Sequence, residues 1–145
     1  MNLIPFLPST ECFILYYPET FTIEESEDNI VSIIPDDSES GDNVMTITSY
    51  STDNNVEKEF LLRFLESYVK DYTEVECPIE IKNENGICFR GIYKKDDFNW
   101  IWIVKAFKTR IVLISIHSTK EFEEKVLSLY SYMINELKIL TKTDD

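Results

Sequence analysis

The chain has 145 residues, 43% of them hydrophobic and 13% aromatic, and its formal net charge is −13. This apolar share can offset the chain entropy lost on folding, so the composition excludes a disordered chain. It predicts one domain over residues 1–145, with 1–10 and 141–145 peripheral or frayed. The negative charge argues against nucleic acid and membrane as partners, because both repel an acidic protein.

The negative charge is concentrated in the N-terminal part of the chain. Residues 1–57 hold 12 acidic residues and no basic ones, whereas residues 58–145 hold 15 acidic and 14 basic residues. Such a field attracts cationic partners, so we expect another protein with a basic surface to dock here. The expected docking residues are Glu24, Glu25, Glu27, Asp28, Asp36, Asp37, Glu39 and Asp42. The alternative is that the acidity only keeps the protein soluble.

No segment predicts export, membrane insertion or a metal site. The N-terminus has no basic residue and is interrupted by Pro5 and Pro8, and no apolar run reaches about 18 residues. Three cysteines and one histidine favour reduced thiols and leave too few clustered ligands for zinc. The acidic loop at 36–42 has Ile47 where a calcium loop of the EF-hand type needs Glu. We therefore expect a cytoplasmic protein without metal or cofactor.

Four strands are predicted in the first 50 residues. Pro18 marks a turn between the first two, because proline cannot donate to a central ladder. The acidic segment at 35–42 is a loop by composition. The expected strands are 12–17, 21–25, 29–34 and 44–50.

A helix should follow these strands. Asn54 and Glu57 have the spacing of a capping box, in which each residue satisfies an amide of the first turn. The apolar residues after them recur at helical spacing. The predicted apolar face consists of Val56, Phe60, Leu61, Phe64, Leu65 and Tyr68.

Three turns predict an antiparallel meander over residues 75–117. Asn85-Gly86 is a strong signal for a type I′ turn, and Pro78 makes the strand before it an edge or bulged strand. A second turn at residues 96–97 pairs Tyr93 with Trp100. The same register pairs residue 91 with residue 102 and residue 89 with residue 104. A third turn at 108–109 places Trp100 opposite His117 and 102 opposite 115.

A second capping box at Ser118 and Glu121 predicts a closing amphipathic helix over 119–140. Strand Ile111–His117 is apolar on both faces, so each side of the sheet must be covered. We therefore expect an α+β fold with a mainly antiparallel sheet of six or more strands between two long helices.

This order of elements resembles the PsbP-like superfamily, an α/β/α sandwich. The resemblance rests on the motif FILYYP at 13–18, on Phe21 where many relatives have Trp, on Val31-Ser-Ile33 and on the closing helix. It covers nearly the whole chain and implies a bacterial member with an accessory or binding role. No catalytic residue belongs to these motifs, and fold alone does not assign a function.

Two further sets of residues are candidates for chemistry. Tyr93, Trp100, Trp102 and His117 share one end of the sheet and form a possible pocket, in which His117 has a pKa suited to acid or base work. The alternative is that the aromatic residues are core and that the histidine only caps a strand end. Cys77 and Cys88 are separated by the expected hairpin register, so we interpret them as packing or edge residues.

Two hypotheses of function result. The first is a non-enzymatic binding protein, accessory or inhibitory, that docks a basic partner through its acidic half. The second is a small-molecule-binding or weakly catalytic domain that uses the aromatic and histidine pocket. Partner, ligand and oligomeric state are not predicted.

Overall fold

The computed structural model describes residues 2–36, 42–82 and 86–141. The elements in chain order are β1 Leu3–Phe6, β2 Phe13–Pro18, β3 Phe21–Glu25, β4 Val31–Pro35, β5 Val44–Ser51, α1 Lys58–Tyr68, β6 Thr73–Glu80, β7 Ile87–Lys95, β8 Phe98–Phe107, β9 Arg110–Ser118, α2 Glu124–Glu136 and β10 Lys138–Ile139.

A seven-stranded antiparallel sheet forms the centre of the fold, in the order β3-β4-β5-β9-β8-β7-β6. Its middle strand, β9, pairs with β5 over its first eight residues and is buried on both faces from Ile111 to Ile116. The expectation that each face of this strand is covered is therefore confirmed.

The predicted register across the second and third turns of the meander is confirmed. Tyr93 pairs with Trp100, which pairs with His117. The turn between β7 and β8 has positive φ at Asp96 and Asp97, 52° and 66°, as a type I′ turn requires. The turn signals therefore defined these three strands, because short connections fix which residues lie opposite each other.

Strand β6 is the bulged edge strand that Pro78 predicts. Its pairing with β7 shifts register between Glu74 and Glu76, and again between Glu76 and Ile79. Nearer the turn, Ile81 lies opposite Cys88, and its backbone N–H donates to the Cys88 carbonyl. The register expected from a two-residue turn at Asn85-Gly86, with Cys88 opposite residue 83, is therefore wrong. The turn expected at Asn85 lies outside the described residues.

Both predicted capping boxes are wrong. Helix α1 begins at Lys58 after Glu57, and no side chain caps it. The chain before it bends at residues 53–54 and is tied to the β8–β9 turn, because Thr52 N–H and Val56 N–H donate to the carbonyls of Thr109 and Lys108. These tertiary hydrogen bonds fix the start of the helix.

Helix α2 begins five residues later than predicted and ends four residues earlier. Ser118 ends β9 and is buried there, while Glu123 precedes the first turn of α2 without a side-chain cap of its own. Asn43, far away in sequence, accepts from the Glu123 N–H through Oδ1 at 3.3 Å. Local spacing cannot reveal a partner 80 residues away.

A second sheet, which the sequence did not predict, consists of β1, β2 and β10. The chain leaves the helical conformation at Leu137, so that Lys138 and Ile139 pair with Ile14 and Phe13. The expected helix through residue 140 is therefore wrong at its C-terminal end.

Two apolar cores lie on opposite faces of the large sheet. One holds α2, the small sheet and residues such as Ile114 of β9. The other holds α1 and the alternate residues of β9, such as Leu113. Helix α1 has 11 residues and packs on β7 and β8. The same face of the sheet continues beyond α1 toward β5, and this geometry creates the site described next.

Candidate binding cleft

An open cleft of about 630 Å³ lies beside α1, where the sheet continues toward β5. Strands β5, β8 and β9 supply its floor, and the end of α1 with the segment after it supplies one wall. The ring side chains that line it are Tyr50, Tyr68, Tyr72, Trp100, Trp102 and His117. The cleft is thus largely aromatic, with Thr46, Thr48 and Ser115 as polar members.

Strand alternation places the central side chains. Trp100 and Trp102 are two apart on β8 and therefore project to the same face of the sheet. His117 and Ser115 lie directly opposite them on β9. Ser115 in turn shares a hydrogen bond of 2.5 Å between hydroxyls with Thr46 of β5. The floor is therefore held by three strands in fixed register.

The two tryptophans stack on each other. Their ring centroids are 5.6 Å apart and their planes differ by 11°. The imidazole of His117 continues the row, with its centroid 4.8 Å from that of Trp100, and Phe98 packs edge-on against it at 5.6 Å. Partly exposed stacked rings of this kind present flat apolar area with polar edges.

Tyrosines complete the wall. Tyr72 stands almost perpendicular to both tryptophans, at 5.6 Å from Trp100 and 6.0 Å from Trp102. Tyr68, which is 39% exposed, lies 6.1 Å from Trp102 and shares a short hydrogen bond between hydroxyls with Tyr50. Burial raises the pKa of Tyr50 to about 12, so this hydroxyl stays protonated at neutral pH.

Several buried polar atoms of the cleft-lining residues have no hydrogen-bond partner among the described residues. They include Trp100 Nε1, His117 Nδ1 and Arg110 Nε. Burial also lowers the pKa of His117, so the imidazole is neutral at pH 7. A buried polar atom without a partner costs free energy that a bound ligand or water recovers.

Of the four predicted pocket residues, Trp100, Trp102 and His117 line the cleft and Tyr93 does not. Tyr93 is 1% exposed and belongs to the core beneath α1. Its ring lies against Gly91, where a Cβ would strike the Tyr93 hydroxyl. The assignment of Tyr93 to the pocket is therefore corrected, because the missing side chain at Gly91 lets its ring lie flat in the core.

The predicted acidic docking residues are spread over several positions. Glu24, Glu25, Glu27, Asp28 and Asp36 are exposed, whereas Asp37 and Glu39 lie outside the described residues. Asp28 lines the edge of the cleft. The Glu25 carboxylate accepts hydrogen bonds from Ser9 N–H and from its hydroxyl, the latter at 2.6 Å.

Asp42 is a correction, because it is buried rather than part of a docking surface. It is 6% exposed, and its Oδ1 accepts from Thr119 N–H at 2.8 Å and from the Thr119 hydroxyl at 2.5 Å. These hydrogen bonds hold the pKa of the carboxyl below its usual value. Asp42 thus fixes the end of β9 and takes no part in docking.

Sequence reasoning missed the tyrosines of the cleft. Tyr68 was assigned only to the apolar face of α1, and Tyr50 only to a strand. Tyr72 follows α1 in a segment without periodicity, so no pattern in the sequence marked it. The spacing of Tyr68 and Tyr72, four residues apart at a helix end, was the available signal.

The cysteines are reduced and do not face each other. Cys88 is buried, and burial raises the pKa of its thiol to about 11, whereas Cys77 is exposed on the edge strand. Cys12 is buried and receives a hydrogen bond from Arg110. Over the described ranges, no three His, Cys, Asp or Glu side chains group as a metal site would require.

Comparison with known proteins gives a fold but no sequence family. No family model matches the chain, and no curated protein matches it. A protein from Bacteroides thetaiotaomicron is similar over the whole of this chain, with a TM-score of 0.72 and 12% identity. The present chain spans 51% of the length of that protein.

Two further solved structures are similar over almost their full length. The cyanobacterial PsbP (CyanoP) of Synechocystis sp. PCC 6803 has a TM-score of 0.69 and 9% identity over 96% of this chain and 93% of its own. The fold is PsbP-like. LpqN of Mycobacterium tuberculosis, a protein involved in cell envelope biogenesis, has a TM-score of 0.57 and 12% identity. The similarity covers 97% of this chain and 91% of LpqN.

The resemblance drawn from the FILYYP motif and the element order is thereby confirmed at the level of the fold. At identities of 9% to 12% the PsbP-like fold carries no function across. In the part of the chain that the structure describes, no helix has the length and apolar character to cross a membrane.

Proposed function

We propose that this protein with a PsbP-like fold is a non-enzymatic binding domain whose ligand occupies the aromatic cleft. The observation that carries the proposal is the row of stacked rings from Trp102 to His117, together with the unpartnered polar atoms of Trp100 and His117. Flat apolar area beside a few fixed polar groups is the usual construction of a ligand site.

Binding explains these residues better than catalysis does. Phe98 and Trp100 pack on His117, and its Nδ1 has no hydrogen-bond partner among the described residues. A general base needs an orienting group and a donor for developing charge. The neutral imidazole serves instead as a hydrogen-bonding group for a ligand.

The ligand belongs to a protein with a basic surface. Acidic residues predominate in the N-terminal part of the chain. Of the two charged residues that line the cleft, Asp28 is exposed, whereas Arg110 is half-buried and donates to Cys12 Sγ. Aromatic faces attract cations, and Lys95 Nζ already lies 4.7 Å from the centroid of Tyr72. A Lys or Arg side chain beside an apolar group therefore matches both the charge and the rings. An accessory or inhibitory role in the cytoplasm is consistent with such a partner.

Affinity capture from a lysate of the producing organism, at low and moderate salt, tests this proposal. Trp102→Ala removes part of the aromatic floor, and Tyr132→Ala is the matched control, because Tyr132 is 51% exposed on α2, outside the cleft. We expect a basic protein that the native chain and the Tyr132 variant retain and the Trp102 variant loses. Equal retention by both variants would overturn the assignment to the cleft.

A further inference from the structure

Strand β5 is longer than the strand beside it on one side. On the other side it pairs with β9 along its whole length, Val44–Ser51. With β4 it pairs only over Met45–Ile47. Among the described residues, no strand lies next to Thr48–Ser51 on the β4 side. Four residues of backbone, about 13 Å of strand, therefore have no described strand partner on this side. We call this stretch the open edge; Thr10 and Cys12, before β2, line the same cleft.

The open edge lies inside the cleft. The chain turns away from β5 between β3 and β4, where Asn29 has a φ of 63° and its N–H donates to the Ser26 carbonyl. The cleft then extends between this turn and Thr48–Ser51. Its lining joins the open backbone to the aromatic floor, because Tyr50 and Thr48 belong to both.

Nothing in the open segment prevents another strand from pairing with it. Native edges are commonly protected by proline, by charged side chains or by a bulge. The segment reads Thr48-Ser-Tyr-Ser51, without proline or charge, and its register with β9 is regular. Of the two outer strands of the large sheet, β6 has both Pro78 and two register shifts, and β3 ends with the charged Glu24 and Glu25.

We infer, on the basis of the proposed function, that the ligand is an extended peptide segment of a basic protein that adds to β5 at Thr48–Ser51 as a strand. One side chain of that segment lies on the floor formed by Trp100 and Trp102, and a Lys or Arg lies near Asp28. The backbone N–H and C=O groups of Thr48–Ser51 alternate along the strand. Only another extended chain presents hydrogen-bonding groups with the same spacing, so we expect a peptide strand as the partner.

A basic partner fits this edge and a second copy does not. Each copy carries a net charge of −13, with its acidic residues concentrated in the part of the chain that includes β5, so two copies repel each other at this surface. A segment with Lys or Arg is attracted to the same surface. The charge therefore selects a different protein as the strand donor.

Synthetic peptides test strand addition directly. The probes are fluorescein-labelled peptides of the form Lys-Val-X-Val-Lys with blocked ends, where X is Phe, Tyr, Trp, Leu or Ala, and binding is measured by fluorescence polarisation. We expect aromatic X to bind more tightly than Ala. In the tightest peptide, N-methylation of one alternating set of amides should weaken binding at least tenfold, about 1.4 kcal/mol. N-methylation of the other set should change affinity less than about twofold, because those amides point away from β5.

A matched pair of charge variants tests the predicted position of the basic side chain. Asp28→Asn and Glu124→Gln each remove one negative charge from an exposed residue, but only Asp28 lies at the cleft, whereas Glu124 lies on α2 on the opposite side of the sheet. We expect Asp28→Asn to weaken peptide binding about threefold and Glu124→Gln to leave it unchanged.

The outcomes separate this inference from the proposed function. Equal effects of both N-methylation sets, or no binding by any peptide, would overturn strand addition. If phenethylammonium, a ring with a cation and no peptide backbone, still perturbs Trp fluorescence in that case, cleft binding stands alone. If neither probe has an effect, both proposals fail. Reversible dimerisation in sedimentation experiments that Thr48→Lys abolishes would make a second copy the occupant and overturn the basic partner.

Discussion

At the residue scale, strand alternation predicted which side chains would meet. The pairs of Trp100 with His117 and of Trp102 with Ser115 followed from two turns and a period of two. Alternation does not report depth, and Tyr93, on the same face, is buried beneath α1 instead of lining the cleft. Asp42 was misassigned for a different reason: its hydrogen-bond partner Thr119 lies 77 residues away in the sequence, so no local pattern shows that Asp42 is buried.

His117 should make stability depend on pH near neutrality. Burial lowers its folded-state pKa below the ordinary value of 6.5, so the unfolded chain binds more protons between the two values. The contribution of His117 to the free energy of unfolding should therefore be complete above pH 6.5. It should decrease as the pH falls from 6.5 toward the folded-state pKa. His117→Gln should flatten this slope, as measured by urea unfolding from pH 7.5 to 5.

Asp42 should not contribute to the pH dependence in that range. Its carboxyl has a lowered pKa, so the stability that it supplies is lost only as the pH falls below the ordinary value of 3.8. An unchanged slope between pH 7.5 and 5 in the His117 variant would show that the imidazole is not held neutral by burial.

Thiol chemistry should distinguish the three cysteines. Cys77 is exposed, whereas Cys12 and Cys88 are buried and burial raises the pKa of Cys88 to about 11. We expect one thiol to react with Ellman's reagent in the native protein and the other two only after unfolding. Cys77→Ser should abolish the native reaction. A native reaction that persists in this variant would mean that a second thiol is accessible.

Gly91 should be sensitive to a single added methyl group. Its Cβ would collide with the hydroxyl of Tyr93, whose ring is fixed in the core. Gly91→Ala should lower the free energy of unfolding by about 1 to 3 kcal/mol. Tyr93 Oη has no partner among the described residues, so Tyr93→Phe alone should be nearly neutral. The double variant should recover only the part of the loss that the hydroxyl causes, because Cζ and Cε2 of the ring also lie 2.7 and 2.8 Å from the added Cβ. A Gly91→Ala variant as stable as the native protein would contradict the collision.

At the element scale, strands and hairpins were predicted better than helix ends. Pro18, Pro78 and the Asp96-Asp97 turn act locally, so the sequence reports them directly. The starts of α1 and α2 are set by tertiary partners, the β8–β9 turn and Asn43, and local capping patterns misplace them. The small sheet depends on pairing between β2 and β10, more than 120 residues apart, and no local pattern indicates it.

Lys105 ties the end of α2 to the large sheet, a role that the sequence did not indicate. The side chain is fully buried, and Nζ donates to the carbonyls of Ile134 at 2.9 Å and Leu137 at 3.1 Å. The positive charge also lies at the negative end of the helix dipole. Desolvation lowers its pKa, which is the cost of placing an ammonium group there.

Replacing this lysine should destabilise the junction of α2 and β10. Lys105→Met keeps the aliphatic stem but leaves two buried carbonyls without their donor, so we expect a loss of about 1 to 3 kcal/mol in urea unfolding. Lys125→Met, at an exposed position on the same helix, should change stability by less than about 0.5 kcal/mol. Equal stability of the two variants would contradict a structural role for Lys105.

At the scale of the whole molecule, the PsbP-like fold leaves an aromatic cleft on one face of the large sheet. Helix α1 packs on β7 and β8, so the aromatic face of the sheet continues uncovered toward β5. The order of elements and the FILYYP motif were enough to predict the fold. The cleft depends on which strands of the sheet α1 covers. Sequence periodicity predicts the apolar face of a helix but not the strands on which the helix packs.

The most direct test of cleft binding is the NMR spectrum of the ¹⁵N-labelled protein as the tightest Lys-Val-X-Val-Lys peptide is added. The chain has two tryptophans, so only two indole N–H signals occur. Because Trp100 Nε1 has no partner in the described structure, we expect its signal to move downfield and saturate as a peptide oxygen accepts its hydrogen bond. Saturable peptide binding that leaves both indole signals unmoved would place the ligand elsewhere and contradict the central claim.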